Sequence, residues 1–442
     1  MHLRIPAFLT CMFMGWSALA GSAFAQTQRP DDKTLADAYV YLLGRSLVIR
    51  QEHTDRSGKG FAYNTIKYNP LGSADFVNPN FDVAYLEAWF AVDDKSPVIL
   101  EVPKVEGRYY TAQILDEWGE VIANINERTF PSKPYGKFAL IKPGSNPRLP
   151  ADVTPITLHS SKAKMLGRVE IKGDPEGALK LQKQFTVRAL GKPAIAPPPA
   201  MPAFDNKTLL GAEIFDQLET RLASALDVAP NAARMQQQSR AVAAYVASGK
   251  EARADVDMRL KKVVPQFQEY ALTKSAPTRD HWTGGAPNAG NYGADYWLRS
   301  SVNYAGIWAN AADEVIYFVA TSDSGGKPLD GSSQYVIHFP ADKLPDTAVN
   351  AYWSVILVGV PDYRVVPNSL KRYNFNNHSP LQKEADGSLK IGIGPKAPAG
   401  VPESNWLPSP EGKPYSLTFR TYVPKPQVLA GEWHPPAVTP VK

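Results

Sequence analysis

The run "KPAIAPPPAMPAF", Lys192 to Phe204, constrains the fold more than any other stretch, because it carries five prolines in thirteen residues. Each proline fixes its own φ and withholds an amide donor, so neither a helix nor a sheet interior runs through this connector. It separates two hydrophobic periods. From Asn78 to about Ala189 the period is two, with strand candidates at 83–92, 97–103, 108–115, 137–142 and 167–171. Beyond the connector, Ile214, Phe215, Leu218, Leu222 and Leu226 recur at helical spacing, as do Val256, Leu260, Val263, Val264 and Phe267, with Pro265 predicting a kink. After the loop "GGAPNAGNYG", Gly284 to Gly293, strand patterns return at 315–320, 333–339, 351–359, 388–393 and 415–423.

These periods predict a mainly β protein with two β-sandwich or jelly-roll-like domains and a helical segment between them. The expected division is a signal peptide over 1–25, an N-terminal β domain with a leading helix over 26–190, and the connector over 191–204. A helical segment over 205–283 and a C-terminal β-sandwich over 284–442 complete it. The 39 prolines suit many short strands better than a doubly wound α/β fold. The leading helix is signalled by Thr34-Leu-Ala-Asp37, which has capping-box spacing, and is expected to pack on the first sheet.

Arg4, the apolar run from Ile5 to Leu19 and Ala23-Phe24-Ala25 have the form of a secretory signal, which predicts a periplasmic or secreted protein. Cys11, the only cysteine, lies inside that signal, so disulfide, thiol and thiolate-metal chemistry are excluded from the remainder. No later run approaches the ~18 apolar residues of a spanning helix. The formal charge of +5 comes without a dense Lys/Arg cluster, which argues against nucleic acid as a partner.

Six histidines lie beyond the signal, at 53, 159, 281, 338, 378 and 434, no two closer than 40 residues, so no metal-ligand spacing is present. The sequence cues for an α/β-hydrolase nucleophile, a P-loop and a dinucleotide fold are also missing. No cofactor is expected.

Two polar and aromatic groups of residues remain. Alternation after Asp82 puts Tyr85, Glu87 and Trp89 on one strand face, and the strand at "GRYYTAQILDEW" sets Tyr109, Thr111 and Gln113 on one face in the same way. Two readings stay open: the aromatic wall of a hollow for a small polar ligand, or a solvated outer face. Asn78, Asn80 and Asp82 are either ligand contacts or Asx turn formers. The second group is Arg299, Tyr304, Tyr317, Arg372, Asn405, Trp406 and Arg420. Its arginines either clamp an anion or pair with structural carboxylates such as Asp323 and Asp386.

The stretch "NPNFDVAYLEAWFAVDDKSPVILEVPKVEGRYYTAQILDEWGEVIANI" resembles the domain-of-unknown-function family numbered 1254. The segments "SDSGGKPLDGSSQYVIHF", "YWSVIL", "RYNF", "NWLPSPEGKPYSLTFRTYVPKP" and the terminal Trp-x-Pro-Pro resemble the family numbered 1214. The resemblance implies two mostly β sandwiches with a helical segment and implies no particular activity. Relatives place Thr-Leu-Tyr after the Asp where this chain has Val83-Ala84-Tyr85, so a hydroxyl beside Asp82 is missing here.

The functional expectation is a periplasmic protein that binds a small polar or anionic organic ligand in an aromatic-lined hollow. Asp82, Asp116 and Glu87 are its candidates for metal-free acid–base chemistry of the hydrolase or isomerase type. Asn78, Asn80, Tyr85, Trp89, Tyr109, Gln113, Arg299, Arg372, Asn405 and Trp406 are the candidate binding residues. The alternative is a non-catalytic envelope protein that presents its sandwiches to a partner. Nothing in the sequence sets the oligomeric state.

Overall fold

The computed structural model describes residues 28–72 and 78–441, and the signal peptide expected over residues 1–25 lies outside them. Among the described residues nineteen strands form four sheets, paired as two sandwiches with helices between. In the first sandwich one sheet runs β1 (Lys67–Tyr68), β2 (Val83–Ala91), β8 (Lys162–Glu170), β4 (Tyr110–Leu115), β5 (Val121–Ile125). Facing it lie β7 (Val153–Thr157), β6 (Gly136–Ile141), β3 (Val98–Val102) and β9 (Thr186–Ala189). The period-two pattern decides which side of β2 turns inward. Ala84, Leu86, Ala88 and Phe90 join the core with Val98, Leu100, Phe138 and Met165, leaving Tyr85, Glu87 and Trp89 on the outer face.

In the second sandwich the larger sheet runs β10 (Thr278–Arg279), β11 (Trp282–Gly284), β12 (Val315–Ala320), β18 (Tyr415–Tyr422), β14 (Trp353–Gly359), β15 (Asn374–Asn376). Its partner sheet holds β17 (Trp406–Pro408), β16 (Leu389–Gly394), β13 (Tyr335–Phe339) and β19 (Val438–Pro440). Phe318, Val355, Leu417 and Phe419 pack inward against Ile337 and Ile391, so Tyr317, Ser354, Thr418 and Arg420 point out of this sandwich.

The helices are α1 (Asp32–Ser57), α2 (Pro175–Gln182), α3 (Leu218–Ala223), α4 (Ala232–Ala247), α5 (Lys250–Thr273), α6 (Tyr296–Ala305) and α7 (Pro426–Leu429). None among the described residues is long and apolar enough to cross a membrane. Three helix expectations need correction. The cap of α1 is Asp31, whose carboxylate accepts the Thr34 amide, so the helix begins before the Thr34 box. The helix packs mainly on α4 and α6 instead of on the first sheet. At that crossing a Cβ on Gly44 would sit 2.5 Å from the Ser300 hydroxyl, so a side chain there would push α6 away. Only the C-terminal half of α1 reaches the sheet, where Glu52 meets Lys162 at 2.6 Å and Asp55 meets Lys164 at 2.9 Å. The third correction is α6 itself, which falls inside the stretch over 284–442 read as the C-terminal β-sandwich. Its Ser, Asn and aromatic residues are weak helix formers, and it is held by the Asp295 cap and by its packing on α1 and α5. Helix α5 continues through Pro265.

Candidate functional site

The outer face of β2, β8 and β4 meets the outer face of β12, β18, β14 and β15, so the two sandwiches share a polar, aromatic interface. Val83, Tyr109, Val315, Tyr352 and Tyr422 form its apolar part, with Tyr85 and Tyr317 packed alongside. Tyr352 and Tyr422 stack with centroids 4.2 Å apart, and the edge of Tyr109 closes on both. Burial holds the Tyr109, Tyr352 and Tyr422 phenols well above their ordinary range, so all three remain neutral hydrogen-bonding groups.

Asp82 enters this interface from the end of the Asn-Pro-Asn-Phe-Asp run. Its Oδ1 accepts from the Asn374 and Asn376 side-chain amides at 2.7 and 2.8 Å, which ties β15 of the second domain to the first. Its Oδ2 is buried without a hydrogen bond, as is the Ser354 hydroxyl. Burial raises the Asp82 carboxyl above the usual range, against the opposing pull of Asn376, Arg420 and Asn374. The Asx-turn role belongs to Asn80, whose Oδ1 accepts the Asp82 amide while its Nδ2 donates to Tyr422 Oη at 2.6 Å. Asn78 accepts from Thr418, and its carbonyl together with that of Pro79 receives Arg420.

Arg168, on β8, is the residue that sequence reasoning missed. Only 4% exposed, it donates to Gln113 Oε1 at 2.8 Å and Asn310 Oδ1 at 3.3 Å, and its Nε has no partner. Its guanidinium lies 5.3 Å from the centroid of the Tyr85 ring. No carboxylate pairs with it among the described residues. Of the phenols around it, Tyr85 and Tyr317 keep partial exposure, while Tyr109, Tyr352 and Tyr422 are buried. Alternation along "KAKMLGRVE" was the available signal, since it places Lys162, Lys164 and Arg168 on one face of a strand.

The remaining expected site residues lie elsewhere. Glu87 pairs with Lys164 at 2.8 Å; burial pushes its carboxyl up, yet Lys164 and Asn69 hold it below the usual range. Trp89, 2% exposed, donates to Asp55, so this end of the face is covered by α1 and is not the solvated surface the alternative reading described. Asp116 stands at the opposite end of β8 from Asp82, about 26 Å away along the strand. The three candidate acid–base carboxylates are therefore not brought together. Arg299 forms a two-pronged pair with Asp227 at 2.8 and 3.0 Å and touches Glu120, partners other than Asp323 and Asp386. Arg372 donates to the carbonyls of Glu403 and Trp406, Asn405 bridges Gln382 and Lys390, and the Trp406 indole donates to Gly394 O. Tyr109 donates to Glu314 and Gln113 to Ala309 O, so both straddle the domain boundary.

The raised Asp82 carboxyl gives a pH test. A group raised by folding favours the fold fully below its unfolded value of about 3.9, and that contribution is lost as pH rises through the folded value. Asp82→Asn keeps the acceptor for Asn374 and Asn376 and removes the charge. The variant is expected to match the wild type near pH 4 and exceed it in stability at pH 7.5. Urea titrations at the two pH values check this, and an unchanged difference would show that Asp82 carries no such penalty.

Family models match both sandwiches: "Protein of unknown function (DUF1254)" over residues 61–189 and "Protein of unknown function (DUF1214)" over residues 314–426. Among solved structures, the VPA0106 protein of Vibrio parahaemolyticus superposes with a TM-score of 0.68 at 22% identity, covering 93% of this chain and all of that one. That likeness shows a shared fold. An uncharacterised Burkholderia cenocepacia protein reaches a TM-score of 0.46 at 14% identity, over 95% of this chain and 92% of its own. No curated protein matches. The interface described above is built from residues of both matched regions, and the chain is similar to DUF1254 in its N-terminal half and to DUF1214 in its C-terminal half.

Proposed function

We propose that this is an exported, periplasmic or secreted protein that binds a small organic anion between its two sandwiches. In this reading Arg168 takes the anionic group, Tyr85, Tyr317 and Tyr422 line the approach, and Asp82 is a further polar group of the same interface. The observation that carries the reading is the buried guanidinium of Arg168 without a carboxylate. Buried charge is ordinarily paired. Arg45 and Arg299 follow that rule, with Glu117 and Asp227 as partners. Arg221, which also has no carboxylate bonded to it, sits in the helical layer and donates to the main-chain carbonyls of Ile214 and Asp216. Arg168 makes one long main-chain contact, to Leu166 O at 3.4 Å, and otherwise leans on two side-chain amides and the Tyr85 ring, a surrounding that supplies no negative charge. Domain interfaces are also where small-molecule sites concentrate.

Thermal denaturation against a panel of small carboxylates, with phosphate and sulfate for comparison, tests the reading. A ligand at a hundred times its Kd is expected to stabilise the fold by about 2.7 kcal/mol. A melting temperature that no member of the panel moves would count against an anion site.

A further inference from the structure

At the other end of the same sheet stands a second arrangement that the interdomain site does not use. Asp116, 1% exposed, follows β4. Its Oδ1 accepts the amides of Trp118 and Glu120 at 2.8 and 2.9 Å, and its Oδ2 lies 2.7 Å from His159 Nδ1. A carboxylate fixed by two main-chain donors in this way cannot swing from the imidazole. It holds the tautomer with the proton on Nδ1, so the Nε2 lone pair points away from the carboxylate. The His159 side chain keeps 26% of its surface exposed, and Nε2 has no partner among the described residues.

We propose that Asp116 and His159 form a general-base dyad that directs water onto an ester or similar carbonyl compound with an aliphatic flank. His159 is the catalytic residue and Asp116 positions it. The substrate class comes from the neighbouring loop. Ser160, next to the imidazole, accepts the Leu226 amide at 2.7 Å, which brings Leu226 and Val228 to this end of the sheet, where they are 58% and 44% exposed. Two exposed aliphatic side chains on the loop tied to Ser160 suit an acyl chain better than a polar one.

The step balances without a further reactant. His159 Nε2 takes a proton from water as the oxygen bonds to the carbonyl carbon. The carbon–oxygen bond to the leaving alcohol then breaks, and His159 returns the proton to that alcohol. The surroundings favour a base. Burial lowers the imidazole's proton affinity, but the Asp116 hydrogen bond and charge, with a contribution from Glu120, outweigh it and leave the affinity raised. The groups facing His159 are these two carboxyls, and Glu120 is itself pushed up to about 7 by burial against the pull of Arg299.

The test is hydrolysis of p-nitrophenyl esters from acetate to decanoate by the whole exported chain. The wild type is expected to turn over the medium-chain esters, and His159→Ala to lose roughly 10²-fold or more, with added imidazole restoring part of the rate. Asp116→Asn is expected to lower the rate and move the midpoint of its rise with pH downward, a shift that a merely structural carboxylate would not produce. Wild-type hydrolysis no faster than that of His159→Ala would overturn the proposal. Nitrogen-detected NMR of the unsubstituted protein gives a check that needs no variant to fold: an imidazole protonated on Nδ1 supports the dyad, and one protonated on Nε2 contradicts it.

Discussion

Arg168→Met is expected to leave the fold at least as stable as the wild type while abolishing the stabilisation by anions. Removing one partner of a paired buried charge is costly, but Arg168 has no charged partner to strand. Its unpartnered Nε already carries a desolvation penalty of about 1–3 kcal/mol. Methionine fills a similar stem volume and replaces the stacking on Tyr85 with a sulfur–aromatic contact. Gln113 and Asn310 lose a donor, which offsets part of the gain. The net change is expected between no effect and about 2 kcal/mol of added stability, in line with other buried ionic groups replaced by apolar ones. The ligand-dependent part, about 2.7 kcal/mol at a hundred times Kd, should vanish entirely. Chemical denaturation with and without the best anion of the panel reads both quantities. A large loss of apo stability with the ligand effect retained would make Arg168 a structural residue.

Asp227→Ala is expected to have the opposite character. Asp227 is 0% exposed at its side chain and receives both Nη atoms of Arg299 together with the Tyr41 hydroxyl. Burial pushes its carboxyl up, but the Arg299 pair holds it below the usual range, which marks a charge the fold depends on. Alanine there leaves Arg299 with only Glu120, whose contact is longer at 3.3 Å. The expected loss is about 3–5 kcal/mol, typical of a buried pair broken on one side. The loss should be independent of any anion, which separates the two arginines. A loss below about 1 kcal/mol would mean that Glu120 takes over the pairing and that the helical layer is not pinned here.

The sequence made the sheets legible because a half-buried strand writes its inward face at every second residue. The strand expected at 315–320 is β12 to the residue, and the alternation along β2 sorted Ala84, Leu86, Ala88 and Phe90 into the core. Where residues were assigned by spacing along one strand, the outcome depended on what covered the outer face, and periodicity carries no information about that. Tyr85 and Trp89 share a face of β2, yet Tyr85 meets the second sandwich while Trp89 lies under α1. The same limit separated Asp82, Glu87 and Asp116, which looked like one acid–base set in a linear reading. Asp227, which pairs with Arg299, sits 72 positions away in a helical loop, and no local pattern links them. Arg168 was hidden for a different reason. A lone arginine in a strand reads as an exposed residue whose stem lies along the sheet, and only the docking of the second domain buries it.

The central claim is that an anion occupies the space between the sandwiches and that Arg168 holds it. Native mass spectrometry of the protein purified from its host without denaturant, run beside Arg168→Met, tests this most directly. The wild type is expected to carry an adduct of a few hundred daltons or less that yields a single organic anion on collisional release, and the variant is expected to fly at the mass of the bare chain. The same adduct on both proteins, or none on either, would contradict the account.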